Sequence, residues 1–293
     1  MGRYTRARHL ARLDPVADRV EIGRALVQYE FPWDMLRSLE LALFRTFAVP
    51  SIGALLDRTS EFADHPQRRY DDTVLLLYRL WLDDTAEQRR DAGEHLNFIH
   101  GHYRISNEDF RYTLSTFVVV PIRWLQRYGW RPLTTVEVDG WTNLMRDMGA
   151  AMRIEDMPET FDEFADLMDG YEAERFRYTA ANARVARATV ELMASWYPVP
   201  LRRLVRAATV AMLDEHVARA VGLEAAGPRA RRWADRAVRL RARAVRLLPA
   251  RPDGKPFEVN VRSYDSEPDL GALGPVALLR RAAQTPLRRS GAG

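Results

Sequence analysis

The sequence contains no cysteine in its 293 residues. Disulfide bonds, thiolate metal ligands and cysteine nucleophiles are therefore excluded. The lack of cysteine is compatible with a reducing compartment but does not establish one. A metal site in this chain has to use other ligands.

Lysine is almost absent as well, because Lys255 is the only one and arginine carries nearly all of the positive charge. We attribute this preference to the coding composition of the genome. The net charge is only +4, which is not a nucleic-acid signature by itself. No zinc-finger spacing or RNA-recognition consensus occurs, so we expect no nucleic-acid partner.

Long apolar runs are also missing. No segment approaches the roughly 20 apolar residues that a membrane-spanning helix needs, and no signal-peptide core follows residues 1–9. The longest apolar piece near the middle of the chain, residues 117–122, is short and lies between Arg111 and Arg123. The sequence therefore predicts a cytoplasmic protein that at most rests on a membrane surface.

Helix-start patterns, in contrast, are frequent. Four S/T-x-x-[DEQ] patterns, each followed by apolar residues at helical spacing, predict four capped helices. They begin at Thr85, Ser106, Thr134 and Thr160. Only residues 257–262 show a weak strand-like alternation. The sequence thus predicts an all-α protein with a single large, bundle-like helical domain.

Composition divides the chain into three regions. Residues 1–14 form a polar, basic N-terminal arm, and residues 15–249 form the helical domain. Residues 250–293 are rich in proline, glycine, arginine and serine, which predicts a loosely ordered C-terminal tail.

Two local expectations concern the course of the chain inside the helical domain. Residues 60–68 are polar and contain Pro66, so we expect a loop there. The helix that begins at Thr160 is followed by a long apolar pattern, and we expect helical structure to continue to Met193.

A polar cluster stands at the start of an apolar helical run. Arg69, Asp72 and Thr73 fall on one face of a helix that continues into the apolar residues 74–77. Polar groups in such a segment need partners, and a bound prosthetic group is one economical partner. Alternatively, Asp71 and Asp72 stabilise the first helical turn, and Arg69 pairs with one of them. The residues alone leave both interpretations open.

Three histidines lie close together on the helix that begins at Thr85. His95, His100 and His102 lack the i, i+3 or i+4 spacing of a two-histidine metal site on one helix. A site with a single histidine remains open, because haem iron can be held by one proximal histidine. His100 is the preferred ligand, since the two apolar residues before it place it at the edge of the core. A lone histidine on an apolar helix is, however, more often a core residue without a ligand.

Five segments, taken together and in this order, resemble the MpaB-type oxygenases, which are relatives of the bacterial latex-clearing proteins. The resemblance covers roughly residues 35–250. The segments are Arg68-Arg-Tyr-Asp-Asp-Thr73, Asn97-Phe-Ile-His100, Ile105-Ser-Asn-Glu-Asp-Phe-Arg-Tyr-Thr-Leu114, Pro121-Ile-Arg-Trp124 and Tyr128-Gly-Trp-Arg-Pro-Leu133.

The resemblance implies an all-helical fold that encloses haem b. It also implies oxidative cleavage of a carbon–carbon double bond in an isoprenoid chain, with O2 as the second substrate. His100 resembles the proximal iron ligand of the latex-clearing proteins. Arg69 and Thr73 resemble the arginine and threonine of a polar cluster in that family, and they are expected to contact the cofactor and to shape its distal side.

Two positions depart from the family pattern. Asp72 stands where the family has a lysine, and we expect it to act as a polar or proton-handling group. The acidic residue proposed as a catalytic base in latex-clearing proteins has no gap-free counterpart, and Glu61 and Asp57 are the candidates for that role.

Other functions remain open at this stage. The chain could be a helical haem- or lipid-binding protein without turnover, or a cofactor-free interaction protein. Residues 229–248 form a basic helix that either contacts an anionic membrane or is the solvated face of a packed terminal helix, and composition favours the second. The sequence does not indicate the oligomeric state.

Overall fold

A computed structural model of the chain describes residues 4–284, with side chains up to residue 280. The described residues form 15 α-helices and contain no strand, which confirms the all-α prediction. The helices are α1 Thr5–Leu10, α2 Arg19–Ala25, α3 Pro32–Phe47, α4 Pro50–Thr59, α5 Glu61–Asp64, α6 Pro66–Leu82, α7 Ala86–His100, α8 Asn107–Tyr128, α9 Thr135–Ala151, α10 Phe161–Arg175, α11 Ala180–Ser195, α12 Val199–Met212, α13 Glu215–Ala220, α14 Pro228–Leu247 and α15 Val276–Gln284. A π-helical turn, Leu26–Glu30, continues α2, and a short 3₁₀ turn covers Leu270–Ala272.

The predicted helix starts are confirmed. Thr85, Thr134 and Thr160 each form a reciprocal capping box at the start of α7, α9 and α10. The Ser106 side chain accepts the backbone N–H of Asp109 at the start of α8. Each of these bonds satisfies an N–H group that has no partner within its own helix.

Two local expectations were wrong. Residues 60–68 are not a loop, because they contain α5 and the first turn of α6. Pro66 starts α6, where the missing N–H of proline costs nothing. Helical structure between Thr160 and Met193 is broken into α10 and α11, and Thr179 caps the second of these. Residues 257–262 form no strand.

The central helix is α8, which packs against α3, α9, α10 and α14. It continues through Pro121 to Tyr128. Proline has no N–H, so it cannot donate to the carbonyl of Phe117, four residues earlier. The indole Nε1 of Trp141, on α9, donates to that carbonyl at 3.0 Å. A side chain of a neighbouring helix thus replaces the missing backbone bond.

A buried ion-pair network fixes the chain directly after α8. The Arg131 guanidinium donates to Glu30 at 2.8 Å and to Glu137 at 2.6 Å, and all three side chains are buried. Arg6 of α1 adds a further bond to Glu30 at 3.2 Å. The network therefore joins α1, the π-helical turn and the start of α9.

By length and composition, no single helix between residues 4 and 284 could cross a membrane. Only α3 and α4 taken together meet that criterion, and their axes meet at 100°.

The described part of the C-terminal region lies on the body of the protein. We call residues 262–278 the C-terminal strap. Buried carboxylates of α5 and α6 accept backbone N–H groups of the strap. The bonds are Asp71 Oδ2 to Arg262 N (3.0 Å) and Ser263 N (2.8 Å), Asp72 Oδ2 to Gly274 N (3.1 Å) and Glu61 Oε1 to Val276 N (3.0 Å).

Apolar contacts hold the strap as well. Leu273 is fully buried and packs with Leu76 of α6 and Ile99 of α7. Gly274 has φ +132°, and a Cβ there would lie 2.9 Å from Ile99 Cδ1. Glycine is therefore required at this close approach.

The limits of the three regions predicted from composition, residues 1–14, 15–249 and 250–293, remain a prediction.

Replacement of Arg131 by alanine should lower the free energy of unfolding by about 3–5 kcal/mol, because two buried carboxylates would lose their partner. Chemical denaturation measures this loss. The matched control is Arg153→Ala, since Arg153 forms an exposed pair with Glu94 at 2.8 Å and should cost less than about 1 kcal/mol. Equal losses for the two variants would contradict a structural role of the network.

Replacement of Asp71 by alanine should release the strap locally, because two backbone N–H groups would lose their acceptor. Hydrogen exchange in residues 262–276 should become faster, while exchange in α8 stays unchanged. Asp64→Ala changes an exposed carboxylate of α5 and serves as control. Unchanged protection of the strap in Asp71→Ala would show that the bonds from Asp71 are not needed to hold it.

Candidate cofactor site

The predicted site residues lie on two neighbouring helices. Arg69, Asp72 and Thr73 are on α6, and His100 is the last residue of α7. Arg69 Nη1 donates to Thr73 Oγ1 at 2.6 Å, and the Thr73 hydroxyl donates to the Arg69 carbonyl at 2.7 Å. Packing of α6 against α7 brings His100 close enough to Arg69 for the two side chains to interact electrostatically.

The His100 imidazole is neutral, and its buried nitrogen, Nδ1, has no hydrogen-bond partner. Burial, and then the positive charge of Arg69, lowers the pKa of His100 to about 4. The ring is therefore neutral at pH 7, which is the form that binds metals. Phe110 of α8 packs edge-on against it, with ring centroids 5.3 Å apart.

The two neighbouring histidines have other partners. His95 Nε2 lies 2.7 Å from the carbonyl oxygen of Leu273, in the strap. His102 Nδ1 lies 2.7 Å from the carbonyl oxygen of Phe98, within its own helical turn. Each of them thus takes part in a hydrogen bond, whereas the buried Nδ1 of His100 does not.

Arg69 is held in an environment that lowers its pKa, mainly through burial. The charges of Asp72 and Glu61 oppose this effect, and the guanidinium carbon lies 5.6 Å from the centre of the Phe62 ring. Among the described residues, its side chain makes one hydrogen bond, to Thr73. Its remaining N–H groups are suited to a carboxylate, because the guanidinium forms a planar donor fork.

Arg69, Thr73 and His100 lie close together and are each partly buried. Burial governs the pKa of both Arg69 and His100, yet each of them keeps accessible surface, as does Thr73. The buried Nδ1 of His100, which no hydrogen bond uses, is chemically suited to a metal-bearing cofactor.

A small apolar cavity of about 30 Å³ adjoins Thr73, between α3 and α6. Its walls are mainly leucine and aromatic side chains. The lining residues are Leu36, Leu39, Glu40, Leu43, Tyr70, Thr73, Val74, Leu77, Tyr78, Trp81 and Phe117.

Asp72 is occupied by the C-terminal strap. One carboxylate oxygen accepts the hydroxyl of Tyr264, and the other accepts the Gly274 N–H. Arg68 Nε lies 3.9 Å from the carboxylate. The contribution of Asp72 that is visible here is structural, and its predicted role in proton handling remains a prediction.

The two base candidates lie in different environments. Asp57 is bound to Arg184 of α11 through two hydrogen bonds, at 2.8 and 2.7 Å. Glu61 is buried and is close enough to Arg69 to influence its pKa. Only Glu61 thus belongs to the surroundings of the predicted site.

Sequence reasoning missed several aromatic neighbours of this site. Phe62 lies under Arg69, and Tyr103 is near enough to act on the Arg69 charge. Phe110 supports the His100 ring. Only Phe110 had a sequence signal, because it lies within one of the five resembling segments.

A larger cavity, of about 970 Å³, lies elsewhere between α3, α10 and α13. Its charged groups are already paired: Arg45 with Glu172 at 2.6 Å, and His216 with the same carboxylate at 2.8 Å. Between residues 4 and 284, no three histidine or carboxylate side chains gather into a group that could hold a metal ion. We therefore regard this cavity as a polar surface groove.

Comparison with known proteins agrees with the resemblance found in the sequence. The family described as "ER-bound oxygenase mpaB/B'/Rubber oxygenase, catalytic domain" matches residues 34–247. This range contains all four predicted site residues and the five resembling segments.

Two fungal proteins are among the similar ones. The ER-bound oxygenase mpaB of Penicillium brevicompactum is 31% identical over 140 residues, which are 45% of this chain and 36% of that protein. The ER-bound oxygenase mpaB of Penicillium roqueforti (strain FM164) is 30% identical over 141 residues, or 46% of this chain and 47% of that protein. The matched region thus spans less than half of each relative. Because the family match covers most of its length, the chain belongs to the mpaB/rubber oxygenase catalytic-domain family.

Proposed function

We propose that this protein is a haem b-dependent oxygenase that uses O2 to act on an apolar, isoprenoid-like substrate. Membership of an oxygenase family supports the reaction class. The observation that carries the cofactor proposal is the His100 imidazole. It is neutral at pH 7, its buried Nδ1 has no partner, and it lies beside the positive charge of Arg69.

In this proposal His100 holds the iron. Arg69 binds a haem propionate through N–H groups that are not used by Thr73. Thr73 and Asp72 would supply polar groups beside the cofactor, and Glu61 is close enough to Arg69 to influence its pKa. When bound, haem supplies the oxygen chemistry. The protein holds and orients the reactants and limits access of water.

The cavity beside Thr73, of about 30 Å³, is too small to hold an isoprenoid, but its apolar lining agrees with an apolar substrate. Four polar side chains contribute to its lining, those of Glu40, Tyr70, Thr73 and Tyr78. The Tyr70 hydroxyl donates to Glu40 at 2.7 Å, and the Thr73 hydroxyl donates to the Arg69 carbonyl. Arg37 also donates to Glu40. Burial raises the pKa of Glu40 to about 7. The cavity therefore presents carbon surface next to the polar groups of the site. The term "rubber oxygenase" in the family description suggests an isoprenoid chain, and cleavage of its double bond is part of our proposal.

A second function is a haem- or lipid-binding protein without turnover. The observation that favours it is Asp72, which stands where the related latex-clearing proteins have a lysine and which holds the strap here. Oxygen consumption separates the two functions. The purified haem-loaded protein should consume O2 with a linear isoprenoid such as squalene and form a carbonyl product. Haem binding without oxygen consumption across a series of isoprenoids would favour the binding protein.

The variant His100→Ala should lose haem, because the only proposed iron ligand is removed. Protein purified from haem-replete cells should show a strong Soret band, and the band should fall by at least tenfold in the variant. His102→Ala removes an exposed histidine two residues away and should keep the band. If both variants retain haem, His100 is not the ligand. If the wild-type protein has no band, the haem proposal is wrong.

Glu40 should make stability depend on pH. In the folded protein it keeps its proton up to a pKa of about 7, compared with about 4.5 in the unfolded chain. The folded state thus binds more protons in this interval, so stability falls as pH rises from about 4.5 to about 7, by at most roughly 3 kcal/mol. Glu40→Gln should remove this contribution in denaturation series at pH 5 and pH 8, whereas Glu94→Gln, at an exposed position, should not. Identical pH slopes in wild type and Glu40→Gln would contradict the raised pKa.

A further inference from the structure

Exposed apolar side chains are concentrated on one part of the surface. Eight of the thirteen large hydrophobic side chains that are exposed in the described chain lie on or directly beside α12 and α14. These two helices pack against each other. The eight residues are Tyr197, Val199, Leu201, Leu204, Trp233, Leu240, Leu247 and Leu248. Scattered exposed hydrophobics need no explanation, but a concentration of this kind marks an interaction surface.

The apolar residues of α14 form a stripe on its outer side. Trp233, Leu240 and Leu247 are seven residues apart, which places them on one face of the helix. Their exposed fractions are 70%, 65% and 86%. The opposite face, which includes Ala242 and Val245, packs on the body of the protein. The outward stripe therefore does not contribute to the core of its own chain.

Arginines flank this stripe. Eight of the 20 residues of α14 are arginine, and Asp235 is its only acidic residue. Some of these arginines serve the fold, as Arg241 does by binding Asp34 at 2.8 Å. Arg232, Arg236 and Arg243 are exposed instead. The Arg236 guanidinium carbon lies 5.9 Å from the centre of the Trp233 ring, so apolar and cationic groups alternate at the surface.

We propose that the outer face of α12 and α14 docks on the surface of an anionic lipid bilayer. An apolar stripe with arginines at its edges is the pattern of a helix that lies in the membrane interface. The arginine stems can cover apolar surface while their charged ends reach lipid phosphates. The stripe from Trp233 to Leu247 is about 21 Å long, and α12, which carries further exposed apolar residues, packs beside it. This docking does not depend on haem, although it would bring an oxygenase close to lipid-soluble substrates.

Vesicle co-sedimentation tests this docking. The full chain should bind vesicles that contain phosphatidylglycerol in phosphatidylcholine, and binding should be at least tenfold weaker to phosphatidylcholine alone. High salt should weaken the binding, because exposed charges are screened. Poly-L-glutamate serves as an acidic polymer without an apolar phase. Binding to poly-L-glutamate but not to anionic vesicles would overturn the lipid proposal in favour of an acidic protein partner.

Two sets of variants separate the two components of the surface. Vesicle binding should fall by at least tenfold in the apolar triple variant, Trp233→Ala/Leu240→Ala/Leu247→Ala. It should fall by at least tenfold as well in the charge-reversal triple variant, Arg232→Glu/Arg236→Glu/Arg243→Glu. Arg58→Glu/Arg90→Glu changes exposed arginines on other helices and should bind like wild type. Circular dichroism and thermal melting verify that each variant is folded. Undiminished binding of both folded triple variants would overturn the proposal.

The variant His100→Ala tests whether vesicle binding is independent of the proposed enzyme function. His100→Ala should bind anionic vesicles as the wild-type protein does, because α7 is not part of the docking surface. Loss of haem with retained vesicle binding would leave the docking proposal standing by itself. Retained haem with no vesicle binding would overturn the docking proposal alone.

Discussion

The account depends on one electrostatic arrangement, a neutral imidazole beside a buried guanidinium. Burial and the charge of Arg69 keep the proton off His100, so its ring has a lone pair available at pH 7. The same burial lowers the pKa of Arg69 and makes an anionic partner favourable there. A haem group would satisfy both residues, with its iron at the imidazole and a propionate at the guanidinium. This is why we interpret α6 and α7 as the walls of a cofactor site.

Much of the fold could be predicted from local sequence, because capping is a local interaction. Thr85 and Thr134 each cap a helix together with a residue only three positions later, so the sequence alone predicts the helix start. Local sequence also identified Arg69, Thr73 and His100, because they are polar residues within apolar helical segments. The surroundings of the site could not be predicted in this way. Asp72 accepts the N–H of Gly274, a residue about 200 positions later, and no local pattern signals such a bond.

Some resembling segments have a structural explanation rather than a catalytic one. Arg131 joins Glu30 and Glu137 in the core. The Phe117 carbonyl left unpaired by Pro121 is satisfied by Trp141. The segments that resemble the oxygenase family therefore include residues that hold α8 in place as well as residues of the candidate site. We place Arg69 and His100 in the second group as part of our proposal, because groups with unused hydrogen-bonding capacity are suited to a ligand.

The most direct measurement is a crystal structure of the protein purified from haem-replete cells, with anomalous scattering recorded at the iron edge. Our account predicts one iron peak, within bonding distance of a ring nitrogen of His100, and a porphyrin carboxylate at Arg69. An iron peak at another residue, or a His100 ring packed only against side chains with no porphyrin beside it, would contradict the account.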